Sequence, residues 1–238
     1  MLHWIKKGVN IMTINTRKQL ESDLLELKRQ MMQLGKMSED AITRAVWALE
    51  NKDAATAQTV IDGDDAIDEF SDHIDNECMS FAARYQPLGQ DLRAIQSMTH
   101  MAVDFERIAD YGVNIARVAI QMNGREWIKP LIDIPRMVEI ISEMISKSLT
   151  ALDVCDKEIV MQVFKLDETV DDIEKQIMRE LFLLVMEKPY RIEQSFMLMN
   201  IARTLERAGD HVTNVAERVY YICTGKRTKA SDYKRPRQ

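Results

Sequence analysis

Glycine and proline are scarce, eight and five in 238 residues, about half the share of an average soluble protein. So few turn-formers leave little room for the many turns of an all-β fold. Long apolar runs are missing as well. Apolar residues make up 46% of the chain, but 29% charged residues are spread among them, and no stretch nears the ~18–20 uncharged residues that span a bilayer. The N-terminal MLHWIKKGVNIM has too short an apolar stretch for a secretory signal or an anchor, and Met12 is an alternative start. Only three cysteines occur (Cys78, Cys155, Cys223), far apart and without a CxxC pair. That pattern predicts a reducing compartment rather than a disulfide framework. There is no basic excess: 38 acids face 32 bases, a net charge of −6, which argues against a nucleic-acid binder. A nucleophile elbow, a glycine-rich phosphate loop and a clustered Cys/His pair are all lacking, so nothing points to an enzyme. The expectation is a soluble, intracellular, helical protein with no direct membrane insertion.

What is present is helical periodicity. Leu20, Leu24, Leu27, Met31 and Leu34 step by four and three, placing one stripe along a helix. This predicts a first helix from a Thr16 cap to Glu50 and a second from an Asp53 cap to Tyr85. A third would start at an Asp91 cap, after the Gln86–Gly89 turn, and end near Gly124. Residues 124–134, with Trp127 and Pro130, divide the chain near its middle. A fourth helix is expected from Pro135 to Cys155, a fifth from Asp156 to Glu187, and a sixth beyond Pro189 to Gly225. The expected organisation is an N-terminal extension (1–15), a three-helix unit (16–123), a linker (124–134), a second three-helix unit (135–225) and a basic tail (226–238). The tail carries six Lys/Arg against Asp232 and reads as solvated and disordered.

The two units repeat. DFERIADYGVNIA (104–116) and TLERAGDHVTNVA (204–216) align at an offset of 100, and Asp53, Asp64, Asp68 and Glu77 meet Asp156, Asp167, Asp171 and Glu180 at an offset of 103. The fold class expected is all-α, two tandem pseudo-symmetric three-helix bundles.

The repeats carry the candidate site. Glu106, Asp110 and Asn114 share one helix face at i, i+4, i+8, as do Glu206, Asp210 and Asn214. Asp64/Asp68 and Asp167/Asp171 are further i, i+4 carboxylate pairs. In an antiparallel hairpin, residues equidistant from the turn sit level. Asp68 with Glu106 and Asp64 with Asp110 share the midpoint 87, and Asp171 with Glu206 and Asp167 with Asp210 share 188.5. Each turn therefore sets a DxxxD pair opposite an ExxxD pair. Four carboxylates with an Asn suit a hard cation: magnesium, manganese, calcium or iron. The di-iron signature Glu-x-x-His is missing from both repeats. Two bland readings stand beside the metal one. ERxxD alone is commonly a salt-bridge ladder through Arg107 or Arg207, and residues 62–77, eight acids without a Lys or Arg, read equally as a solvated face. The four histidines (His3, His73, His100, His211) have no ligand spacing and read as structural. The 16 methionines read as core filling, with an adaptable partner surface as the alternative.

With DLR (91–93), ERIAD (106–110) and ERAGD (206–210), the chain from about 16 to 224 resembles the PhoU family of phosphate-uptake regulators. The resemblance implies two similar three-helix bundles and a cytoplasmic negative regulator of phosphate uptake and phosphate-starvation signalling. It implies an adaptor between the nucleotide-binding subunit of a phosphate ABC transporter and a sensor histidine kinase. It also implies multinuclear iron or zinc clusters on E(D)xxxD motifs, with Asp64, Asp68, Glu106, Asp110, Asp167, Asp171, Glu206 and Asp210 as metal ligands. Asn114 and Asn214 join them by helix face. Ala109 stands where the family motif often has Gly; Gly209 keeps it. A homodimer is expected because long amphipathic bundles often bury a leftover stripe against a second copy. A carboxylate-bridged di-metal enzyme and a metal-free helical adaptor are the alternative functions.

Overall fold

The computed structural model describes residues 2–233, with side chains from Arg17 onward. The whole expected N-terminal extension, His3 included, and the last five tail residues thus lie outside the described side chains. Among the described residues, seven α-helices follow one another: α1 (Leu2–Asn51), α2 (Ala54–Asp62), α3 (Asp64–Tyr85), α4 (Gln90–Gln121), α5 (Asp133–Val154), α6 (Lys157–Glu187) and α7 (Ile192–Thr224). In the first half α2 and α3 lie end to end and pack with α1 and α4; in the second, α5, α6 and α7 pack on one another. This is the all-α arrangement of two tandem three-helix bundles. The halves meet through α4 against α7 and α1 against α5.

The apolar stripes explain the packing. Met31, Leu34, Ile42 and Leu49 of α1, Ile74 of α3, and Met101, Phe105 and Ile108 of α4 are almost fully buried, as are Met137, Ile141 and Phe164 of the second half. They belong to one core that runs through both halves. Burying each such side chain contributes about 1.5–3 kcal/mol. Two glycines set how closely helices approach. A Cβ on Gly35 would lie 2.9 Å from Leu149 and 3.0 Å from Phe105, and one on Gly112 would lie 3.0 Å from the backbone of Ala41 and Ile42.

Several boundaries differ from the expectation. The first helix does not begin at Thr16, which lies inside α1. The expected second helix is broken at Gly63, whose N–H turns to Val60 O. Its counterpart at an offset of 103 is Leu166, and α6 runs on unbroken there. Glycine's low helix propensity allows the break. Asp53 and Asp156 cap α2 and α6, their carboxylates accepting from Ala55 and Thr56 N–H and from Glu158 N–H respectively. Asp91 is no cap. Gly89, in the left-handed region at φ 58°, takes that position, and Asp91 instead accepts from Arg17 of α1 at 2.8 Å.

Two further expectations are corrected. Cys155 and Cys223, 68 residues apart in sequence, are joined as a disulfide with Cα atoms 5.4 Å apart, leaving Cys78 free and buried. The α5–α6 turn and the end of α7 meet in space, which sequence spacing does not reveal. The basic tail, expected to be solvated from Lys226, packs back as far as Tyr233. Ala230 is buried, its N–H donates to Glu217 at 2.8 Å, and the Tyr233 ring stacks near Phe164 at 5.9 Å.

Candidate functional site

The acids of α3 and α4 are brought together along the first hairpin, and those of α6 and α7 along the second. The turn at Pro87, itself buried, reverses the chain so that Asp64 and Asp68 feel the charge of Asp110, and Glu106 feels theirs. Burial is the larger cause and the neighbouring carboxylates the second; together they push Asp64, Asp68 and Glu106 above the usual carboxylate range. Asp64 has one carboxylate oxygen buried without a hydrogen-bond partner. Its nearest relief is Arg117 of α4, whose charge favours the ionised form. Asn114 accepts from that same Arg117 at 3.2 Å, so it touches the groove's cation rather than its acids. Arg107 does not form the expected ladder to Asp110; it pairs instead with Glu106, at 3.9 Å.

The second groove repeats the plan, with deeper burial of the α6 acids, while Asp210 is exposed where Asp110 is half-buried. Asp167 is 1% exposed, and one of its oxygens lies 3.5 Å from where a Cβ on Gly209 would stand. It therefore sits directly against the ERAGD turn of α7. Burial pushes Glu206 up, followed by the charges of Asp210, Asp171, Glu174 and Asp167. Glu174 is an addition that the hairpin levels do not pick out; its i+3 spacing from Asp171 was the available signal. Asn214 is directed elsewhere, donating to Asp104 of α4 at 3.4 Å. Its register with Glu206 and Asp210 places it at the junction of the halves. His211 accompanies it, with Nδ1 2.8 Å from Asp104 and Nε2 3.4 Å from Tyr111, a structural role for that histidine.

A hard cation fits these grooves by donor chemistry. Carboxylates that desolvate and repel one another, with an orphaned oxygen among them, are relieved by positive charge. The donors do not close around a point as they stand: among the described residues, no three His, Cys, Asp or Glu side chains converge closely enough to hold an ion. Cys78, the free thiol, is buried, and burial pushes its pKa up to about 11.

Duplication is also what comparison with known proteins finds. Residues 31–119 and 134–219 each match the PhoU domain, the gap between them falling on the linker between α4 and α5. The phosphate-specific transport system accessory protein PhoU homolog of Clostridium acetobutylicum is 34% identical over 91% of this chain and 100% of its own length. That of Aquifex aeolicus is 35% identical over 88% and 95%. The crystal structure of PhoU from Pseudomonas aeruginosa superposes with a TM-score of 0.82 at 33% identity, over 87% of this chain and 99% of that one. With its two domain matches, its relatives over most of its length and its paired bundles all in agreement, the chain belongs to the PhoU family.

Proposed function

We propose that this chain regulates phosphate transport by binding, as a non-enzymatic accessory protein. The support is its likeness to proteins named as accessory proteins of the phosphate-specific transport system. No helix among the described residues is long and apolar enough to cross a membrane, so an association with a transporter runs through the bundle surface. In the finer reading, it is a cytoplasmic negative regulator that docks on the nucleotide-binding subunit of the importer and on a sensor histidine kinase, and forms a homodimer.

The observation that carries the metal part of the reading is the mutual repulsion of acids at duplicated positions. Glu106 and Glu206, equivalent in the two repeats, are both pushed up by burial and by facing carboxylates. Asp64, Asp68, Glu106 and Asp110 would hold a cation in one groove, and Asp167, Asp171, Glu206 and Asp210 in the other. A bound iron, zinc, manganese or magnesium ion would add positive charge to each set of repelling acids. The side chains of α3, α4, α6 and α7 would then fix the packing of each hairpin and so the shape of the faces presented to partners. Replacing Asp110 and Asp210 with Ala tests this: metal content should fall while the helical fold remains.

The metal-free adaptor is the second reading, favoured by the donors not closing on a point. In that case the acids serve as solvated docking faces, and chelation leaves partner binding unchanged. A di-metal enzyme is the reading from another class; hydrolysis of a chromogenic phosphoester or dioxygen consumption by the iron-loaded protein would reveal it.

A further inference from the structure

Beyond the acids, the feature with the most specific geometry is the pair Cys155 and Cys223. Of three cysteines in 238 residues, two meet across 68 positions. Cys155 ends α5 in the left-handed conformation, φ 56° and ψ 46°, which residues other than glycine seldom adopt. It is exposed, and Cys223 is half-buried. We propose that Cys155 and Cys223 form a reversible thiol–disulfide switch, closed by exchange with a low-molecular-weight disulfide and opened by a small thiol.

The position of the pair gives the switch something to act on. On one side of the bond, the neighbouring Asp153 receives Lys28 of α1, through its carbonyl at 2.7 Å and its carboxylate at 3.3 Å. Asp156, the next residue after Cys155, caps α6 through Glu158 N–H. On the other side, Cys223 lies in the last turn of α7, two residues before Gly225, where the chain turns into the C-terminal strap docked by Ala230 and Tyr233. The closed bridge ties the α5–α6 turn and its junction with α1 to the root of that strap. On α5 and α7, Leu149, Leu152, Val219 and Ile222 are buried in the common core. The dithiol form keeps this packing, so opening the bond loosens the turn and the strap without unfolding the bundle.

The chemistry balances. The exposed Cys155, as thiolate, attacks one sulfur of the small disulfide and expels one small thiolate, leaving a mixed disulfide. Cys223 attacks the Cys155 sulfur of that intermediate, forms the protein S–S bond and expels the second thiolate. The protein pair loses two electrons, the small disulfide gains them, and the two thiol protons leave on the two small thiols. Cys78 takes no part, because it is 1% exposed and burial keeps it a protonated thiol.

The experiment equilibrates the full chain in glutathione buffers from fully reduced to fully oxidised. Thiols are then counted by alkylation and mass spectrometry, and backbone hydrogen exchange is followed over 153–158 and 224–233. The expected result is two alkylated cysteines in reduced buffer and none in oxidised buffer, with no glutathione adduct and Cys78 reactive only after unfolding. The two segments should exchange several-fold more slowly in the oxidised form. Cys155→Ser and Cys223→Ser should keep the helical signal and show the faster exchange in either buffer. Thiols that stay alkylatable in oxidised buffer, glutathione adducts at either cysteine, or equal exchange in the two wild-type forms would overturn the proposal. The wild-type comparison decides the matter even if a Ser variant misfolds.

Discussion

Tyr111 touches His211, its own counterpart in the second repeat. The hydroxyl lies 3.4 Å from His211 Nε2 and the ring centroids 5.7 Å apart at 47°. Equivalent positions meet only near a symmetry axis, so the pseudo-two-fold axis that relates the halves passes between these two side chains. The chain is built like an isologous dimer fused into one polypeptide, with α4 and α7 as its interface. The symmetry is broken about two turns along α4, where Asp104 faces His211 and Asn214 while its own counterpart is Thr204.

This junction should show energetic coupling. With its proton on Nδ1, His211 donates to Asp104 and accepts from Tyr111, so one tautomer serves both contacts. Asp104→Ala should cost about 1–2 kcal/mol, and His211→Ala added to it should cost less than the two singles summed, by about 0.5–1 kcal/mol. Denaturant melts of the double-mutant cycle measure this. Additive losses would mean that the contact does not hold the halves together.

Gly112 and Gly209 should behave oppositely. Gly112→Ala drives a Cβ to 3.0 Å from the α1 backbone and should destabilise by about 1–3 kcal/mol. Gly209→Ala meets Asp167 and Val170 at ordinary contact, 3.5 Å, and gains helix propensity, so it should be neutral or stabilising by up to ~1 kcal/mol. Ala109, at the equivalent position of the first repeat, is already buried at 1% exposure. A melt that ranks the two variants the other way contradicts the packing described.

The acids set a pH dependence for the cation-free protein. Asp64, Asp68, Glu106 and Glu206 bind protons more readily folded than unfolded. Their favourable contribution is full below the ordinary carboxylate values and lost as pH rises through the raised ones. Tm in chelator should therefore rise as pH is lowered from neutral toward about 5. Asp23, Glu26 and Asp53 are lowered instead, chiefly by hydrogen bonds from Tyr85, Arg29 and Thr56 respectively, so their loss sets in only at lower pH. Asp64→Asn should flatten the rise and add about 0.2–0.5 kcal/mol at neutral pH, the size of one like-charge i, i+4 contact. A Tm that falls steadily from neutral pH would contradict the assignment of repelling acids.

Legibility followed locality. The long helices, the caps at Asp53 and Asp156 and the repeat are written in spacings of a few residues, and each hairpin level follows from one turn. The level of Asp64 and Asp68 against α4 was therefore accessible from Pro87 alone, whereas their facing needed the packed helices. What escaped depends on contacts between distant segments. Helix-face counting cannot tell that Asn214 turns to Asp104, because the face of α7 that carries it borders the other half as well as α6. Cys155 and Cys223 meet only once α5 and α7 end side by side. The docked strap depends on Ala230 and Tyr233 rather than on the basic residues that dominate its composition. The break at Gly63 was local, but an isolated glycine within a helical pattern is more often tolerated than not.

The central claim, that paired carboxylate grooves hold cations, is tested most directly by elemental analysis of protein purified without a histidine tag or chelator. The account predicts tightly held metal in both repeats, lost when Asp110 and Asp210 are both replaced with Ala while the helical signal stays. Protein that carries no metal, takes up none on re-addition and melts at the same temperature with and without chelator would contradict it.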